Sequence, residues 1–410
     1  MNELLHNYAK VILKTCLKIE KNQPLFISCT IERLDFVRIV TEEAYSLGVT
    51  EIYYDLVDPI LKHEALKNLS LNKLKKSHFF NKKEWNIYAK KNAAFLMLAS
   101  ETPGLMKDID PKKLSDIITY SYSTRKYFDS RRDKSELAWC IACVPTLSWS
   151  QVLFPNEKDP VTKLWKVILE ICHINKNEDP LKYWNDKLNR LDRIAKKLNE
   201  YNFKTLEYKN KLGTDFKISL PKNHIWCSGY QELTNGKKVL VNFPTEEVFT
   251  SPDRLTANGL VYASKPLSYQ DNIISNFNIA FEDGRAVSYQ AEEGIEVLDK
   301  LLHSTDNISY LGEVALVEND SSISKSNILF YETLFDENAA CHLALGTGFP
   351  ECVKNGTKMN IEELLKHGIN YSLNHVDFMI GTKDLHIVGI THEDKKIPIF
   401  EEGNFTNKFR

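Results

Sequence analysis

The chain has 410 residues, 43% of them hydrophobic and 11% aromatic, enough apolar material for more than one core, so two domains are the expected organisation. Its 53 basic residues nearly balance 55 acidic ones, a net charge of -2, which argues against a nucleic-acid partner, since such binders carry a clustered basic excess. No apolar run reaches membrane-span length, and the opening "MNELLHNYAKVILKTCLKIE" lacks the charged start and apolar centre of a secretion signal, so a cytoplasmic protein without membrane contact is expected.

Leu4, Leu5, Tyr8, Val11, Ile12 and Cys16 recur at helical spacing. "PLFISCT" then reads as a buried strand, "IERLDFVRIVTEEAYSLG" as a helix closed by Gly48, "TEIYYDL" as a second strand and "AAFLMLAS" as a third, with helices filling much of 59–88. Strands alternating with helices imply a parallel sheet covered by helices. There is no GxGxxG turn and no phosphate loop, so a rival reading of this half as a nucleotide- or sugar-binding scaffold has no motif to support it. The Pro-, Gly- and Asp-rich stretch "SETPGLMKDIDP" suggests a boundary between an α/β N-terminal domain with a parallel sheet, 1–108, and a larger α+β, β-rich domain, 109–410.

Beyond it come a helix through "PKKLSDIITYSYSTRKYFDSR", the strand "ELAWCIACVP" and a polar helical stretch to residue 201. Cys140 and Cys143 in that strand have no second pair at zinc-ribbon spacing and read as reduced core cysteines rather than a redox pair. From 204 onward, short apolar runs separated by turns ("TLEYKN", "DFKISLP", "KKVLVNFP", "ISYLGEVALV") mark the β-rich domain.

Several ionisable residues in this half sit in apolar surroundings. "VNFPTEEVFTSPDR" carries Glu246 and Glu247, "ISYLGEVALV" carries Glu313, "ENAACHLALGTGFP" carries His342, and "NHVDFMIG" carries His375 and Asp377. Side chains alternate along a strand, so His375 and Asp377 share one face. Burying such groups without partners is costly, and a common metal site would satisfy all of them. Carboxylates and imidazoles suit Zn, Co or Mn in hydrolytic centres. Five ligands with one bridging carboxylate would give each of two ions three protein ligands and leave room for water. His224, His386 and His392 read as loop, strand and turn residues without a metal role; Asp253 and Arg254 read as a turn and a salt bridge, and Trp139, Trp149, Trp165 and Trp184 as core and interface residues.

In order and spacing, "NFPTEEVFTSPDR", "LGEVALV", "ENAACHLALGTGFP" and "NHVDFMIGTKDLHIVG" resemble the aminopeptidase T / aminopeptidase S family, as do "RLDFVRIVTEEAYSLGVTEIYYD" and "ASETPGLMKDIDP" nearer the start. The resemblance implies a smaller N-terminal α/β domain, a C-terminal catalytic domain, and a cytoplasmic homodimer with an enclosed chamber that removes N-terminal residues from peptides with a free N-terminus. Carried over by matching stretch, the ligands of two divalent metal ions are Glu247, Glu313, His342, His375 and Asp377. Glu313 would bridge the ions, and Glu246 would serve as a base or in amine recognition. The family's tyrosine seven positions after the first histidine is here Phe349, and Tyr371 is a candidate replacement. Two expectations follow: a metallo-aminopeptidase acting through two-metal-activated water, or a catalytically weakened metal-binding relative acting as a binding module.

Overall fold

Leu25–Thr30 (β1), Ile52–Val57 (β2), Ala94–Ala99 (β3) and Trp139–Cys143 (β4) form a parallel sheet in the order β4-β3-β1-β2, with Asn242–Phe243 joined beside β4. The structure is a computed structural model that describes residues 1–100, 102–270 and 272–410. Five of the six residues of β1 are buried, as expected for a strand with helices over both faces. The helix Leu34–Ser46 returns the chain from β1 to β2, burying Phe36, Val37, Val40 and Ala44 on one stripe. It stops where Gly48 takes φ +86°, a backbone that L side chains resist.

By packing, the chain divides into two units: residues 1–186 with 230–244, and residues 187–229 with 245–410. The Pro- and Gly-rich stretch near residue 108 lies within the first, and β4, which follows it, pairs with β3 in the same sheet. Glu101, part of that stretch, lies outside the described residues.

The second unit carries the β-rich half chiefly as two antiparallel sheets, beside the small pair Leu267–Tyr269 and Asn272–Ile274. One has eight strands, running from Arg285–Gln290 at one edge to Asn404–Phe405 at the other. The other has five: Glu247–Thr250 (β5), Leu311–Val317 (β6), His342–Gly346 (β7) and His375–Met379 (β8), in the order β8-β7-β6-β5, with the short strand Cys227–Ser228 outside β5. Val248, Val314, Leu316, Leu343, Leu345, Val376 and Phe378 point from this sheet into one core with Leu206, Phe216, Val261, Ile279, Ile387 and Phe400 of the larger sheet. One face of the five-stranded sheet is thereby spent on apolar packing. Alternation puts its polar residues on the other. Among the described residues, no helix is long and apolar enough to cross a membrane.

Candidate metal centre

Register decides which side chains meet. Across the ladder Glu313 lies opposite Ala344 and Ala344 opposite Asp377; Phe249 lies opposite Ala315, Ala315 opposite His342 and His342 opposite Met379; Gly346 lies opposite His375. Residues directly opposite one another share a face, and Glu247 lies two positions from Phe249. Glu247, Glu313, His342, His375 and Asp377 therefore all project from the face turned away from the apolar core. The rows between them are floored by Ala315, Ala344 and Gly346, which leaves the space above the strands open to the longer ligating side chains. Gly346 is required on backbone grounds too: it has φ +97°, and an added Cβ would lie 2.1 Å from the Asn374 carbonyl oxygen, just before His375.

The donor atoms fall into two triads, Glu247–Glu313–His342 and Glu313–His375–Asp377, the atoms of each lying within 4.8 Å of one another. Glu313 belongs to both. His342 Nε2 lies 3.3 Å from Glu247 Oε2, and His375 Nε2 lies 3.1 Å from both Glu313 Oε2 and Asp377 Oδ1. On the far side of each ring, Nδ1 faces a backbone carbonyl, Thr347 at 2.8 Å from His375 and Ala340 at 3.2 Å from His342. A carbonyl only accepts, so each Nδ1 carries the proton and each Nε2 is aimed into the cluster. A backbone-held Nδ1–H with the other ring nitrogen turned inward is the arrangement an imidazole needs to ligate a cation. The donor set, three carboxylates and two imidazoles with no thiolate, fits divalent ions of the hydrolytic kind.

Without a cation the cluster holds protons instead. Burial alone would discharge the His342 imidazole, but Glu247, with Glu313 and Asp377, outweighs it and pushes His342 up to about 10. His375 is also held well above its usual range: burial opposes its charge, and Asp377 and Glu313 overcome that. Burial raises Glu313 to about 7 against the pull of His375. Burial would raise Asp377 as well, but the His375 imidazolium leaves its carboxyl below the usual range.

Glu246 takes the other direction. Its side chain is buried and ion-paired with Lys187, and its N–H donates to Asn338 Oδ1 at 2.7 Å, so its carboxylate joins neither triad. Asn338 is fully buried; its Nδ2 donates to the Leu334 carbonyl at 3.0 Å and faces Glu337 Oε1 at 3.4 Å. Glu337 is a carboxylate that sequence reasoning did not single out. Burial, and then the charges of Asp377 and Glu247, push it well above its usual range, and the short turn Glu337–Ala339 that carries it packs against β8. Its signal in the sequence was only an acidic residue five positions before His342, in a short turn with no periodicity.

The Phe349 ring stands at the edge of the cluster, 4.9 Å from the His375 ring and 5.3 Å from Phe249, with its N–H donated to Ser251 Oγ at 2.8 Å. Tyr371, two-fifths exposed, belongs to neither triad, and neither do the exposed His386 and His392. His224 is buried, with Nδ1 on the Pro221 carbonyl at 2.9 Å. Asp253 accepts the Leu255 N–H at 3.2 Å in a turn, while Arg254 reaches Asn370 and lies over the Tyr310 ring instead of pairing with Asp253. Trp149, Trp165 and Trp184 are buried, and Trp139 donates to Gln231 Oε1 at 3.0 Å.

Comparison with known proteins agrees with this geometry. Residues 1–405 match the family described as thermophilic metalloprotease (M29). The chain is 37% identical over 403 residues to aminopeptidase 2 of Geobacillus stearothermophilus, covering 98% of this chain and 97% of that one. It is 31% identical over 413 residues to aminopeptidase T of Thermus aquaticus, covering 98% of each. The solved structure of wild-type AmpT from Thermus thermophilus superposes with a TM-score of 0.91 at 30% identity, covering 98% of this chain and 99% of that one. The chain belongs to the thermophilic metalloprotease (M29) family and is a metal-dependent aminopeptidase.

Proposed function

We propose that the protein releases N-terminal residues from peptides through a two-ion centre held by Glu247, Glu313, His342, His375 and Asp377, with Glu313 spanning both ions. The observation that carries this reading is the sharing of Glu313 between two triads. Two divalent ions bound there would supply an activated water and Lewis acidity toward the scissile carbonyl. The chain's own groups do the rest. His342 and His375, fixed through Nδ1 by the Ala340 and Thr347 carbonyls, hold their Nε2 atoms in place without reorganisation. Glu337, carried by the turn packed against β8 and not among the five ligands, is the carboxylate we assign to accept the water's proton and pass it to the leaving amine. The acidic cluster attracts the substrate's free α-ammonium, which favours cutting after the first residue. Glu246, neutralised by Lys187 and tied to Asn338, acts in this reading through position: it anchors the start of β5, from which Glu247 projects.

The expected ions are Zn, Co or Mn, by the chemistry of the donors. By family relation we also place the protein in the cytoplasm as a homodimer, which light scattering on the purified protein would test.

Phe349 favours a second reading. It offers no hydroxyl at the edge of the cluster, so a relative that holds metal with little turnover would be built in the same way. One experiment separates the two: metal content measured together with hydrolysis of a panel of aminoacyl-p-nitroanilides, for wild type and His375→Ala. About two ions per chain, with activity lost on chelation, restored by Zn, Co or Mn and lost in the variant, establishes the aminopeptidase. Metal without turnover on any substrate establishes the second reading, and a chain that takes up no metal refutes both.

A further inference from the structure

Cys352 Sγ and Cys227 Sγ lie 4.0 Å apart beside the candidate centre. The segments that carry them are already bound to each other: the Ile225 N–H donates to the Cys352 carbonyl at 2.7 Å, the Lys354 N–H to the Asn223 carbonyl at 2.9 Å, and His224 bridges to Val353. A disulfide needs a sulfur separation of about 2.0 Å, so the bond asks for side-chain rotation and a small shift of a short turn, with no rearrangement of the sheet. Of the eight cysteines, Cys227 is the one that is not buried. Cys16 and Cys140 also meet, but both are completely buried, and Cys341 is engaged with the Val317 backbone. An accessible thiol backed by a buried neighbour is the arrangement in which an oxidised cysteine is resolved by a second one.

The position gives the bond a consequence. Cys227 belongs to the edge strand paired with β5, with Phe249 directly opposite Cys227. Cys352 ends the turn Pro350–Cys352 that follows Phe349, whose ring packs on Phe249 and His375. Joining the two sulfurs ties the Phe349 turn to the β5 edge of the ligand sheet.

We propose that Cys227 and Cys352 form an oxidative modification site, which hydrogen peroxide or a related hydroperoxide converts to a disulfide that restrains the Phe349 turn and lowers turnover. The Cys227 thiolate attacks one peroxide oxygen; the O–O bond breaks, leaving a sulfenic acid, and the other oxygen departs as water once it takes the thiol proton. Cys352 sulfur then attacks the Cys227 sulfur; the S–S bond forms, the S–O bond breaks, and a second water leaves with the Cys352 proton. Two thiols lose two electrons and one peroxide gains them. Burial, which holds the Cys352 thiol well above its usual range, agrees with Cys227 reacting first.

The test oxidises the metal-loaded enzyme with stoichiometric hydrogen peroxide, blocks free thiols and maps peptides by mass spectrometry, for wild type, Cys227→Ser and Cys352→Ser. The expected wild-type result is a linked Cys227–Cys352 peptide lighter by two hydrogens and released by a phosphine reductant, with a several-fold fall in aminopeptidase kcat/KM that the reductant reverses. Cys227→Ser should keep its rate under the same treatment, and Cys352→Ser should trap the sulfenic acid on Cys227 as a dimedone adduct. A wild-type protein whose Cys227 oxidises without linking to Cys352 overturns the proposal. So does a linked protein that loses no more activity than Cys227→Ser. The activity arm rests on the function proposed above; the peptide map does not, so a failure of that function and a failure of the disulfide are read separately.

Discussion

Glu313 projects from the middle of β6 into both triads, whereas Glu247 and Asp377 each serve one. Glu313→Gln should therefore lower metal content below that of either Glu247→Gln or Asp377→Asn, as read by plasma mass spectrometry on protein dialysed against limiting metal. Phe349→Tyr restores a phenol at a ring already seated against His375; because a single oxyanion donor is worth about 10²–10³ in rate, kcat should rise by up to that factor with little change in KM. His224 supplies a pH signature unconnected with metal. Burial depresses its pKa from 6.5 to about 4, so the folded chain keeps it neutral while the unfolded chain charges it. Its contribution is present above pH 6.5, declines as pH falls toward 4 and is then fully lost, an effect of roughly 3 kcal/mol. His224→Gln should accordingly flatten the dependence of Tm on pH over that window. At this scale the sequence was readable wherever alternation applied. His375 and Asp377, two apart in an apolar strand, announced a shared face. Of the adjacent pair Glu246 and Glu247, alternation says only that one faces each way, and the partner that takes Glu246, Lys187, is 59 positions distant. Glu337 was silent because a turn has no period to break.

At the scale of elements, the site is a product of ladder register. The apolar backs of β5 to β8 lock each strand, since a slip of one residue would turn every buried side chain outward. That locking is what aligns ligands from four strands spread over residues 247–379. Short apolar runs with turns between them were enough to anticipate these strands, but pairing order and register were not legible, being fixed by contacts distant in the chain. The same limit applies in the first unit, where β1, β2 and β3 stood out as alternating with helices, while the addition of β4 and of Asn242–Phe243 to their sheet carries no local signal. Ala344, between Glu313 and Asp377, gives a test at this scale. Ala344→Leu would fill the space above the strands; metal binding should be abolished, while circular dichroism of the metal-free protein is unchanged and its stability falls by no more than about 1–3 kcal/mol, the usual cost of overpacking.

For the molecule as a whole, a buried set of ligating side chains makes stability depend on what is bound. Glu247, Glu313, His342, His375 and Asp377 are gathered only by the folded sheet, and the unfolded chain does not bring them together. Cations that bind the folded chain and not the unfolded one shift the folding equilibrium by mass action, by about 4 kcal/mol at a thousandfold excess over Kd. Chelation should lower Tm, Mn or Zn should restore it in a concentration-dependent way, and Glu313→Gln should show a much smaller response in differential scanning calorimetry. The balanced charge and apolar content of the sequence indicated none of this. They are properties of the surface and the core, and the cluster belongs to neither.

The strand β7 has a further consequence. Its flanking carbonyls, Ala340 on one side and Thr347 on the other, orient the imidazoles of His342 and His375 respectively. One short segment thus serves as the ruler for both rings. A single-residue insertion or deletion between 340 and 347 would misdirect both imidazoles together and turn the intervening side chains over. Substitution can explore this segment, as Phe349 just beyond it suggests, but length cannot change there. Among descendants of this chain, gaps should accumulate in the surface turns and leave these eight positions uninterrupted.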